Sequence, residues 1–203
     1  MVSAPPWTSE QEIEAVLHGH ARWILAKLRS WNERQSMSPS LIFEDGATSL
    51  WLGQALPIRR VPGMLAIPRA VQPDQSLESI PLAEDCEDPQ SALIAWYAAQ
   101  ALPWFRRRTQ VFAERLGQAP RELRLSNARG RWGSCTRKGV IRLNWRLMQA
   151  SPAEIDYVVA HEVAHLAEMN HGPAFWETVA RLYPEWRGAS DLLDARDALY
   201  RRI

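Results

Sequence analysis

Between Ser151 and Trp176 the chain reads SPAEIDYVVAHEVAHLAEMNHGPAFW, and this stretch limits the fold more than any other. Ser151 and Glu154 have capping-box spacing, with Pro152 at the first helical position. Ile155, Tyr157, Val158, Val159, Ala160, Val163, Ala164 and Leu166 make the following helix apolar nearly all round. Such a helix belongs in the middle of its domain. His161, Glu162 and His165 lie within it, and buried polar groups of this kind need partners. Side chains four residues apart stand on one helical face. His161 and His165 can therefore present two imidazoles to one metal ion, at about 2.0–2.1 Å if it is zinc. Glu162 points about 100° away around the helix. It is not an obvious ligand there, but it can reach a water beside the ion.

His171 is the expected third ligand. An unbroken helix would carry it about 15 Å along the axis from His161, so the helix must turn between His165 and His171. Asn170 tolerates the left-handed conformation that ends helices, and Gly172-Pro173 follows. Proline suits the start of a new helix, which carries Phe175, Trp176, Val179, Ala180 and Leu182 and ends at Pro184. Glu168 and Glu177 rank behind His171 as third ligands. Glu168 needs an awkward reach, and Glu177 would have to swing in from the next helix. A last helix is expected at about Asp191 to Arg202.

Composition narrows the remaining possibilities. With 46% apolar and 23% charged residues in 203, the chain can build a sizeable core as one domain plus an extension. A formal net charge of +1 argues against nucleic acid as a partner. No apolar run approaches a membrane span, and the N-terminus lacks the pattern of a signal peptide. A cytoplasmic location with free thiols at Cys86 and Cys135 is the expectation. The ten tryptophans read as core and groove aromatics.

Thr8 and Gln11 have capping-box spacing, and apolar residues recur helically from Ile13 to Trp31. His18 and His20 in this helix face different sides and read as surface or packed residues. Ser36 to Pro39 is a loop. Strands are expected at Leu41–Phe43, Ser49–Leu52, Leu56–Val61 and Leu65–Ile67, forming a small antiparallel meander. Arg69 to Pro89 is polar and reads as a loop, its acidic residues solvated. A helix opens at Asp88-Pro89, and Pro103 should kink or break it. A further segment, Trp104 to Leu116, ends at Gly117. Arg106-Arg107-Arg108 in that segment reads as a solvated face. Arg121–Ser126 and Val140–Trp145 alternate as strands and are expected to pair as a hairpin, with NARGRWGSC (127–135) as a loop between them. An edge strand beside the metal can pair with an extended substrate.

We therefore expect an α+β chain with a central HExxH helix, a small antiparallel sheet and flanking helices. Residues 1–87 would carry the N-terminal helix, meander and loop, and 88–203 the metal-binding catalytic domain, in a division that could also form one compact unit.

Several stretches together resemble the YgjP-like family of metal-dependent hydrolases, which is related to the SprT-like zinc peptidases. They are Arg131-Trp132-Gly133-Ser134-Cys135, Ile141 to Leu147, Ile155 to Glu162, His165-Leu166 and Glu168 to His171, continuing to Phe175-Trp176. The similarity is clearest from about Pro120 to Trp186. It implies a zincin-like fold, one zinc ion on His161, His165 and His171, and Glu162 as the catalytic residue. Members of that family generally begin with a basic strand pair upstream of a segment like Val2-Ser3-Ala4-Pro5, where this chain starts. The spacing also matches the metzincin pattern HExxHxxGxxH, except that Glu168 stands in place of its glycine, so the metzincin turn is not expected.

The chemistry expected is hydrolysis of a peptide bond in a peptide or protein substrate, with Glu162 as general base and a donor near Arg131 or Tyr157 assisting. A nucleoside triphosphate pyrophosphohydrolase is the alternative enzyme, although the chain has no GxxxxGK[ST] loop. The third reading is a non-catalytic interaction module stapled by zinc, for which Cys135 is the candidate fourth ligand.

Overall fold

Two three-stranded sheets flank a helical centre, and the second of them carries the strand nearest the site. The computed structural model describes residues 46–63 and 77–203. The helix expected from Thr8 through Trp31, the loop at Ser36–Pro39 and the strands at Leu41–Phe43 and Leu65–Ile67 lie outside the described residues.

In the first sheet β1 (Thr48–Trp51) pairs antiparallel with β2 (Gln54–Val61), and β2 pairs parallel with β3 (Ile80–Ala83). Leu52 and Gly53, both at positive φ, form the two-residue turn joining β1 to β2. The expected strands at Ser49–Leu52 and Leu56–Val61 thus pair antiparallel as read, and one correction is needed: the stretch read as a polar loop supplies a further strand, β3, which pairs parallel. Four residues, IPLA, are enough because three of them are buried. Among the described residues β3 lies at the sheet edge, where Pro81 can lack an N–H without breaking a central ladder.

Helix α1 (Pro89–Leu116) is capped by the Asp88 side chain at its start and by Gly117, at φ 76°, at its end. Of the kink or break expected at Pro103, no break occurs: one helix runs through it. Proline inside a helix costs about 3 kcal/mol. Pro103 is exposed, while Trp96, Tyr97, Ala101, Phe105 and Phe112 on either side of it are buried. Each large buried side chain contributes about 1.5–3 kcal/mol, so packing outweighs the proline and keeps one register. Trp51, Trp96, Tyr97 and Trp145 form an aromatic cluster that joins the first sheet to α1. Arg108, expected at a solvated face, instead makes a bidentate bond to Asp156 at 2.6 and 2.7 Å.

In the second sheet the order is β4 (Glu122–Ser126), β6 (Val140–Asn144), β5 (Gly133–Cys135). The expected β4–β6 hairpin is corrected: these strands pair parallel, and β5, from the stretch read as a loop, pairs antiparallel with β6. The middle place goes to β6, whose Ile141, Leu143 and Asn144 are fully buried. Asn144 ties the preceding loop to it. Its backbone N–H donates to the Trp132 carbonyl (2.8 Å), and its side-chain amide donates to the carbonyls of Ala128 (2.7 Å) and Arg131 (3.2 Å).

A 3-10 helix (Trp145–Gln149) leads into α2 (Pro152–Ala164), which has the expected capping box at Ser151 and Glu154. The β1–β2 turn supports this junction, with Leu52 and Gly53 donating to the carbonyls of Met148 and Gln149. After α2 come α3 (Pro173–Leu182) and α4 (Trp186–Tyr200). Helix α4 starts earlier than its apolar pattern suggests. No helix among the described residues is long and apolar enough to cross a membrane.

Candidate metal centre

Helix α2 ends at Ala164, with His165 as its C-cap, and the chain turns before Gly172 opens α3. Asn170 does not take the left-handed conformation expected of it, since Leu52 is the sole non-glycine residue at positive φ among the described residues. The reversal uses ordinary turns instead. The N–H groups of Leu166, Ala167 and Glu168 bond back to the carbonyls of Val163 and Ala164.

This reversal returns His171 to His161. Their Nε2 atoms lie 3.1 Å apart, and one ring nitrogen from each of His161, His165 and His171 falls within 4.8 Å of the others. Neither Glu168 nor Glu177 belongs to this group, and both are exposed. Cys135 is also outside it, and both cysteines are free thiols. His165 is buried, His161 half-buried and His171 exposed, so the group opens to solvent on the His171 side.

Three features fit these rings to a metal ion. First, His165 Nδ1 lies 3.0 Å from the Glu168 carbonyl, which can only accept. Nδ1 must carry the hydrogen, and the Nε2 lone pair is left free. Second, burial and the neighbouring imidazoles hold His161 down to about 4, and burial lowers His165 as well. Both rings are therefore neutral near pH 7, the form that ligates metal. Third, the 3.1 Å gap between Nε2 atoms is close to the spacing of two ligands about 2.0–2.1 Å from one zinc ion.

Phe175, read from the sequence only as a packing residue, lies against all three rings. Its centroid is 4.9 Å from His161, 4.5 Å from His165 in a stacked pair, and 4.7 Å from His171. Beside them, Trp176 stacks on Trp186, which stacks on Tyr157.

Glu162, next to His161 in the chain, faces β5, where Gly133 lies against its carboxyl group. It is 5% exposed, and its Oε2 is buried without a hydrogen-bond partner among the described residues. Burial pushes its carboxyl up to about 8, against a smaller opposing pull from Arg131. Tyr157, the other suggested donor, lies 6.0 Å from the His161 ring and bonds to Ser190. Sequence reading missed one contact here. A β-carbon at Gly133 would lie 2.4 Å from Glu162 Oε1. No local signal marked it, because a three-residue strand carries too little alternation to stand out from a loop.

A family model described as YgjP-like, metallopeptidase domain, matches residues 1–196. The chain belongs to the YgjP-like family. Membership in this metallopeptidase-domain family, with the histidine group, supports a metal-dependent hydrolase acting on peptides or proteins. Among solved structures, this YgjP-like chain is similar to the metallopeptidase zymogen of Pyrococcus abyssi abylysin. The two are 23% identical over 45% of this chain and 90% of that one, with a TM-score of 0.40. No curated protein matches.

Proposed function

We propose that this YgjP-like protein is a zinc-dependent peptidase with a zincin-like site. His161, His165 and His171 hold one zinc ion, and Glu162 is the general base. The observation that carries this reading is the convergence of three ring nitrogens within 4.8 Å, with a buried glutamate next in the chain whose Oε2 has no hydrogen-bond partner among the described residues. Imidazole ligands suit zinc better than magnesium or calcium, which prefer oxygen. Zinc bound there supplies Lewis acidity and lowers the pKa of a coordinated water toward about 7.

The chain's own residues supply the rest. Phe175 stacks on His165 and touches the other two rings, limiting their rotation. The Glu168 carbonyl fixes the tautomer of His165. Glu162 takes the proton from the attacking water at its carboxylate and passes it to the leaving amine. Glu162 would be favoured in its basic form by a cation held on the three histidines, against the rise that burial imposes. Among the described residues, strand β5 ends the order of the second sheet. Its outer edge can pair with an extended peptide beside Glu162.

The test is zinc analysis of the purified protein combined with a peptide-cleavage assay. One zinc per chain is expected, with cleavage lost to a chelator and restored by zinc. His171→Ala should weaken zinc binding by more than the roughly 10–100-fold typical of an outer-sphere partner. Full zinc occupancy with unchanged affinity in His171→Ala would rule out the three-histidine site.

A further inference from the structure

The most crowded contact at this site is made by a residue without a side chain. At Gly133 an added β-carbon would meet Oε1, Cγ and Cδ of Glu162 at 2.4, 2.6 and 2.7 Å. Among the other described glycines the nearest such atom is no closer than 3.2 Å. Ordinary carbon contacts begin near 3.5 Å, so an alanine here would need a shift of about 1 Å. The backbone of β5 cannot readily give way. Gly133 pairs with Leu143, and the two preceding carbonyls, of Arg131 and Trp132, accept hydrogen bonds from fully buried Asn144. Helix α2 cannot retreat either, because Val158, Val159, Ala160, Val163 and Ala164 pack in the core. The yielding part would be the Glu162 side chain.

We propose that Gly133 is the positioning residue of Glu162: β5 offers a bare α-carbon where the carboxylate must stand, and so fixes its place beside the histidines. The neighbouring residues fit this arrangement. Side chains alternate along a strand, so Gly133 and Cys135 share one face. Cys135 and Arg131, from β5 and the residues just before it, both interact electrostatically with Glu162. The proposal rests on the general-base reading of Glu162.

A double-substitution cycle tests it, using Gly133→Ala, Glu162→Ala and the pair. Glu162→Ala removes all three atoms that the new β-carbon would meet. Two quantities are read: the melting temperature of the metal-free full chain, and kcat of the zinc-loaded chain with quenched fluorescent casein. Gly133→Ala alone should lower the melting temperature and reduce kcat by about 100-fold, the scale of a 1 Å misplacement, with KM and zinc affinity unchanged. In the Glu162→Ala background it should change either quantity little, with the residual rate within about twofold. Equal losses in both backgrounds would show that glycine is needed for another reason and would overturn the proposal. If Gly133→Ala does not fold, folding of the double variant supports the contact, whereas failure of both overturns it. Full turnover in Glu162→Ala would remove the general base and with it the proposal. An impaired Glu162→Ala in which Gly133→Ala still costs the same factor would overturn the positioning role alone.

Discussion

Helix α2 buries two glutamates, Glu154 and Glu162, and the protein treats them in opposite ways. Glu154 is fully buried and bonded throughout. It accepts from the Ser151 backbone (2.9 Å), the Ser151 hydroxyl (2.5 Å) and the Tyr200 hydroxyl (2.9 Å), with Arg196 at 3.5 Å. It closes the helix cap and fastens α4 to α2. Glu162 is almost as buried, yet one oxygen has no partner among the described residues and its carboxyl is pushed up to about 8. A buried carboxylate with every bond made can hold a structure together. One left short of bonds costs stability and keeps its oxygens available for chemistry.

The largest test of this contrast removes the acid–base function but keeps the shape. Glu162→Gln should lower turnover by about 10²–10⁴-fold with zinc content unchanged. Full activity in that variant would make the two glutamates alike. The converse substitution, Glu154→Ala, should cost about 2–4 kcal/mol of stability through the lost cap and the lost bond to the Tyr200 hydroxyl. Urea unfolding measures this, and the turnover of the protein that remains folded should be near wild type.

A smaller effect depends on pH in the metal-free protein. The folded Glu162 carboxyl titrates near 8 and the unfolded one near 4.5, so the folded state holds the proton more tightly. Its contribution to stability is complete below about 4.5 and is lost as pH rises toward about 8. Glutamine does not titrate. The melting temperature of metal-free Glu162→Gln should therefore gain on wild type across this window and run parallel to it below. A gap that stays constant with pH would show that burial does not perturb Glu162. The smallest effect concerns the other acid on the helix. Asp156 is partly exposed and paired with Arg108, so Arg108→Ala should cost about 1 kcal/mol or less, with no change in zinc affinity.

Much of this helix was legible because its signals are local. The cap at Ser151, the His161–His165 spacing, the need for a turn before His171 and the restart at Pro173 all follow from neighbours within a few residues. The means of that turn was misread, because Asn170 is only permitted, not obliged, to be left-handed. Pro103 shows the same limit: its local penalty was read correctly but outweighed by buried side chains far along the sequence. β3 and β5 were hidden because strands of four and three residues carry too little alternation to stand out from a loop.

The sequence alone determined which groups could meet a metal and where the chain must bend, because helix periodicity and capping are short-range properties. The tertiary structure decided what faces Glu162. The parallel pairing of β4 with β6 leaves β5 to cross back along β6, and that puts a bare glycine against the carboxylate. Nothing near either residue in sequence specifies this contact. It arises from strand order and from Asn144 holding the loop, interactions between segments that only the packed chain brings together.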